Sequence, residues 1–139
     1  MTKPTPIFPT NRHSLYQQHK YSAALRSGDL LFVSGQVGSQ EDGSPESDYT
    51  AQATRAFLNL QSVLEAAGCG LEDIVDMTSY HTDPEHQFER FMAVKDAFFP
   101  TAPFPNWTAV GVNWLAGFDV ELKVIARIPN LPNSDIAQA

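Results

Sequence analysis

Glu121 stands in a run from Phe118 to Ile128 with clean two-residue alternation. Phe118, Val120, Leu122, Val124, Ala126 and Ile128 share one face of the strand this predicts, and Asp119, Glu121, Lys123, Ile125 and Arg127 share the other. A carboxyl on an apolar-flanked strand is a candidate for a raised pKa, the property a general base near neutral pH needs. A second chemical feature lies far upstream. The apolar strand Leu30-Leu31-Phe32-Val33 breaks at Ser34-Gly35-Gln36, which offers backbone N–H groups and a hydroxyl at a sheet edge, a setting suited to a small ligand. Ser34 has no His-Asp partners at readable spacing and no nucleophile elbow, so it reads as a hydrogen-bonding group. Tyr21 reads as a cleft wall. Trp107 and Trp114 read first as packing residues, and as ligand platforms only second.

Other chemistries are weaker. His81-Thr82-Asp83-Pro84-Glu85-His86 has the residue types of a metal site, but Asp83 and Glu85 already serve a helix start, and no metal is expected. Cys69 lies in a glycine-flanked turn without an activating base. As the single cysteine it forms no intrachain disulfide, which fits a reducing compartment. Arg55 and Arg90 lie on predicted helices and read as solvated or ion-paired. The net charge of −7, with nine Lys and Arg spread along 139 residues, argues against nucleic acid. No apolar run approaches a membrane span, and the opening MTKPTPIFPT lacks the apolar core of a signal peptide, so a cytoplasmic protein is expected. Glycosylation of the Asn106-Trp107-Thr108 sequon is therefore not expected.

Positioning these residues requires one domain over 1–139, with an irregular segment at 1–19 and a frayed tail at 131–139. A helix is expected from about Asp48 to Ala67, with Phe57, Leu60, Leu64 and Ala67 as its core stripe and Gly68 ending it. A second starts at Asp83-Pro84, has Phe88, Phe91, Val94 and Phe98 along its apolar face, and stops at Pro100. Strands are expected at Lys20–Arg26, Asp29–Ser34, Ile74–Thr82, Trp107–Asn113 and Phe118–Ile128, with a Ser27-Gly28 hairpin turn. The order is β-β-α-β-α-β-β, an α+β class. Two helices cover one face of such a sheet. The other face, with Glu121, Tyr80 or His81, and Trp107 or Trp114, is mixed in polarity, which suggests packing against further copies of the chain.

The segments GDLLFVSGQVG, AQATRAFLNLQSVLEAAGCGLEDIVDMTSYHTD and VELKVIARIP together resemble the Rid family of reactive-intermediate deaminases, also called YjgF. HSLYQQHKYSAALRSGDLLFVSGQVGSQEDG and PNWTAVGVNWLAGFDVELKVIARIP are similar to its YjgH branch, over nearly the whole chain. The resemblance implies a chorismate-mutase-like fold and a homotrimer with three inter-subunit clefts. It also implies hydrolysis of enamines and imines such as 2-aminoacrylate, with no cofactor. It matches Tyr21, Ser34 and Gly35 to cleft residues and Glu121 to the glutamate that positions water. The family's carboxylate-clamping arginine falls on Trp107, its second-helix asparagine on Met92, and a small residue on Ala109. An arginine fork gives two charge-assisted hydrogen bonds, whereas indole gives one neutral donor. The loss corresponds to roughly 2–3 kcal/mol, so weak or no 2-aminoacrylate activity is expected. The competing expectation is a metabolite-binding or interaction protein without turnover. Such a cleft should favour neutral flat ligands over anions, with Lys123, about 7 Å along the strand from Glu121, the nearest remaining cation.

Overall fold

Phe57, Leu60 and Leu64, spaced to share one stripe, are all fully buried and fix how the longest helix lies on the sheet. The computed structural model describes residues 3–10 and 14–129. In chain order the elements are β1 (Thr5–Ile7), α1 (Leu15–His19), β2 (Ala24–Ser27), β3 (Leu30–Val37), α2 (Tyr49–Ala66), a 3-10 turn (Leu71–Asp73), β4 (Ile74–His81), α3 (Pro84–Phe98), β5 (Asn106–Gly111) and β6 (Val120–Arg127). The strands form one mixed sheet in the order β1-β2-β3-β6-β4-β5. All neighbours are antiparallel except β4 and β5, which are parallel and joined through α3.

The α+β class, both long helices and the strands around them agree with the sequence reading. α2 is capped by Asp48, whose carboxylate accepts from the Ala51 N–H at 3.0 Å, and it ends before Gly68, whose φ of +79° suits glycine. α3 has Pro84 in its first turn, and Phe91 and Val94 are buried. Asp83 holds the cap position without bonding the helix backbone; its carboxylate instead meets His86 Nδ1 at 3.0 Å. Phe57 stacks on Phe98 at 4.9 Å and lies 5.9 Å from Phe91, which joins α2 to α3 over the sheet. Leu31, Val33, Met77, Val120, Leu122 and Val124 complete this core. Each such side chain contributes about 1.5–3 kcal/mol by leaving water.

Three expectations are corrected. Within 1–19, β1 pairs with β2 (Thr5↔Arg26, Ile7↔Ala24) and α1 adds a turn of helix; both are too short to show a periodic pattern. Lys20–Arg26 is not a strand from its start, because Lys20, at φ +56°, ends α1 and the Tyr21 N–H returns to the Tyr16 carbonyl. β2 begins only at Ala24. Last, Trp107 and His81 do not join Glu121 on the uncovered face. Register partners share a face, and Trp107 pairs with Met77 on the helix side, while Tyr80 pairs with Glu121 on the other. The expected tail at 131–139 lies outside the described residues.

β3 carries a bulge. Val33 pairs with Val124 and Gln36 with Leu122, both toward the helices, so Ser34 and Gly35 fill a span where the partner has one residue. The uncovered face carries Leu25 and Phe32, 39% and 41% exposed.

Candidate functional site

The bulge places Gly35 under Glu121. A Cβ on Gly35 would lie 2.6 Å from Glu121 Cδ and 2.8 and 2.9 Å from the two carboxylate oxygens, so only glycine lets the carboxylate rest on the strand. Among the described residues that carboxylate takes no hydrogen bond. Burial raises its pKa above the ordinary range, and the Lys123 charge opposes this in part. Lys123 is itself anchored, its Nζ donating to the Val33 carbonyl at 2.9 Å. The Tyr21 phenol, half-buried, is pushed up to about 12 by burial, by Tyr16 and by the charge of Glu121. Tyr21 packs edge-on against Tyr16 at 5.0 Å, and Tyr16 in turn bonds Gln36. Ser34 Oγ donates to the Ser22 carbonyl at 2.7 Å, which ties the bulge to the strand entry. The structure thus brings Tyr21, Ser34, Gly35 and Glu121 together around a carboxylate that can receive a water.

Trp107 and Ala109 sit elsewhere. Ala109 pairs with Ser79 on the helix side of the edge strand β5 and is exposed. The Trp107 indole N–H donates to Ser79 Oγ at 2.8 Å, and Ser79 Oγ lies 2.7 Å from His81 Nε2. With the indole donating to it, the Ser79 hydroxyl can donate to Nε2, which leaves the ring proton on Nδ1. His81 Nδ1 is buried without a partner among the described residues, and burial lowers the His81 pKa. Phe88 stacks on Trp107 at 5.7 Å with planes 8° apart. Trp114 is 74% exposed and is not a core residue of this chain.

The sequence reading missed Lys95. Its Nζ lies 4.4 Å from the Trp107 ring centroid, although the residue is 9% exposed. Phe88 and Lys95 are seven residues apart on one side of α3, but the ring that both meet belongs to β5, which helix spacing alone does not reveal. Among the described residues no group of three or more His, Cys, Asp or Glu is placed to hold a metal ion, and no helix is long and apolar enough to cross a membrane.

Known proteins share this architecture. Residues 11–128 match the family described as endoribonuclease L-PSP. The chain is 65% identical over 129 residues to the RutC family protein YjgH of Escherichia coli K12, covering 93% of this chain and 98% of that one. It is 30% identical over 96 residues to the 2-iminobutanoate/2-iminopropanoate deaminase of Dermatophagoides farinae, covering 66% of this chain and 72% of the relative. The solved structure of Protein YJGH superposes with a TM-score of 0.91 at 64% identity, covering 94% of this chain and all of that one. A six-stranded mixed sheet under two long helices and matches of this extent lead to one conclusion: the chain belongs to the endoribonuclease L-PSP family, the Rid or YjgF family, and is similar to its YjgH members.

Proposed function

We propose that this protein is a cofactor-independent hydrolytic deaminase of a small enamine or imine, working as a homotrimer with its ligand in a cleft between subunits. The observation that carries the reading is the Glu121 carboxylate, seated on Gly35 without a hydrogen-bond partner among the described residues and with its pKa raised by burial. Burial makes such a carboxylate more basic than an ordinary one, and so better able to take a proton from water. The water oxygen adds to the imine carbon while Glu121 takes its proton, and the C=N electron pair moves to nitrogen. Glu121 passes that proton to nitrogen, then relays the remaining hydroxyl proton to it as well, so that nitrogen leaves as ammonia while the C=O bond forms and the carboxylate is regenerated. Backbone N–H groups near Ala109 would stabilise developing charge, whereas the Ser34 hydroxyl and N–H are spent on the Ser22 and Ala23 carbonyls and hold the bulge in place.

The trimer is supported by the apolar residues on the uncovered sheet face, Leu25 and Phe32, and by the opposite facing of Glu121 and Trp107 within one chain. Its expected mass is roughly 46 kDa, three times the 15.3 kDa chain. Light scattering that reports a folded monomer would remove the cleft. The relative named for 2-iminobutanoate and 2-iminopropanoate supports the reaction class. With Trp107 in the arginine position, turnover of 2-aminoacrylate should be weak beside an arginine-bearing relative; equal rates would refute the argument.

A second reading, a metabolite-binding protein without turnover, is favoured by the packing of Trp107 into a fixed framework. Ammonia release from 2-iminobutanoate separates the two. The enzyme releases ammonia and loses that ability with Glu121→Gln, whereas a binding protein releases none and Glu121→Gln leaves its affinity largely intact. A cytoplasmic, reducing setting suits the one buried thiol, Cys69, which burial pushes up to about 11 and leaves inert.

A further inference from the structure

Among the described residues Lys95 is the most deeply buried lysine or arginine, and none of them neutralises its charge. It is 9% exposed, and among the described residues it makes no ion pair or hydrogen bond. Its ammonium lies 4.4 Å from the centroid of Trp107 and 5.9 Å from that of Phe99. An aromatic face attracts a cation but removes none of its charge, and it leaves the three N–H donors without conventional acceptors. Buried charges in folded proteins are otherwise paired, because desolvation of a lone charge is costly.

The framework around this ammonium is rigid. The indole N–H is fixed on Ser79 Oγ and one indole face is stacked on Phe88. Phe88 and Lys95 are two turns apart on α3, about 10.5 Å along the axis, and the indole of β5 lies against both. A lysine stem is normally mobile; here Trp107 and Phe99 settle where it ends. Lys123, the cation expected from the sequence to serve an anion, is exposed and donates to the Val33 carbonyl on the opposite sheet face.

The geometry points to Lys95, steered by Trp107, as the anion anchor of the ligand site, receiving one carboxylate as a point charge. That the anion belongs to a small imino or enamine acid rests on the deaminase reading above; the anion site itself does not. An ammonium makes one undirected contact where an arginine fork makes two, so carboxylates bind here but are loosely oriented. Lys95 and Glu121 face opposite sides of one sheet, so a small ligand that touches both needs Lys95 from one copy and Glu121 from a neighbour.

Calorimetry with pyruvate and benzoate, neither of which reacts, tests the anchor on the intact protein, with benzamide as the neutral counterpart. The wild type should bind both acids more tightly than benzamide. Lys95→Met should weaken the acids by roughly 10- to 100-fold and leave benzamide within a few-fold, and Lys95→Arg should retain the acids. The assignment is overturned if Lys95→Met binds the acids as the wild type does, or if Lys123→Ala alone abolishes binding. It is also overturned if the wild type binds neither acid, whether or not Lys95→Met lowers the assembled mass; a lowered mass would identify the partner as a carboxylate of a second subunit. Should Lys95→Met fail to fold, Lys95→Gln carries the same comparison. Acid binding through Lys95 without ammonia release from 2-iminobutanoate would sink the deaminase reading alone. If both hold, mixing Lys95→Met with Glu121→Gln subunits should restore about one quarter of wild-type ammonia release, because each mixed cyclic trimer contains one intact pair.

Discussion

Glu121 and Trp107 stand two strands apart in one sheet and face opposite sides of it. Around Glu121 the described residues offer no hydrogen-bond partner: the carboxylate rests on a glycine, burial raises its pKa, and Lys123 points its ammonium at a backbone carbonyl. Around Trp107 it supplies them: Ser79 takes the indole N–H, Phe88 stacks on the ring and Lys95 lies against it. On the deaminase reading, the group that would exchange protons is left under-bonded, while the group that would shape the ligand site is held by three contacts. The two sides can be disturbed separately.

The largest effect should come from the reactive side. Glu121→Gln removes the base and should lower ammonia release by roughly 10²–10⁴-fold with ligand affinity little changed. It should also alter the pH dependence of stability. Because the folded carboxyl holds its proton to higher pH than the unfolded one, wild-type stability falls as pH rises from the ordinary carboxylate range through the raised pKa. Denaturant midpoints across that range should show this fall in the wild type and lose it in Glu121→Gln.

Next in size is the positioning side. Ser79→Ala strips the partner from both the indole N–H and His81 Nε2, which should cost about 1–3 kcal/mol of unfolding free energy. Fluorescence of Trp107 should redden if the ring loosens; an unchanged spectrum with unchanged stability would show that the bond does not hold it. Gly35→Ala tests the contact between bulge and carboxylate. The new methyl meets the end of a flexible side chain, so the fold should tolerate it while Glu121 is displaced and turnover drops about tenfold, near 1.4 kcal/mol. The smallest effect belongs to His81. Burial depresses its pKa, so the unfolded chain takes up a proton first, and stability present above about pH 6.5 declines as pH falls below that value. His81→Phe, beside Phe88 and Phe91, should flatten that decline.

The alternation from Phe118 to Ile128 made β6 legible, and with it the face that bears Glu121. The stripe Phe57, Leu60, Leu64 did the same for α2. The facing of Trp107 was not legible, because β5 is an edge strand with exposed residues on both sides and no clean period. Lys95 was hidden because a lysine on a helix reads as solvated unless its aromatic partner on another element is known. β1 and α1 were lost to their length, three and five residues.

The extra residue in β3 also acts as a change of reading frame. Upstream of it the odd positions Leu31 and Val33 face the helices; downstream the even position Gln36 does, paired with Leu122. A single-residue deletion at Ser34 or Gly35 would restore one uninterrupted frame and turn Gln36 away from Tyr16, its partner under the helices. Substitution at this spot changes what the carboxylate touches, but a change of length reassigns inside and outside for the rest of the strand. In this chain a change of length is therefore least tolerable here, where the strand looks most irregular.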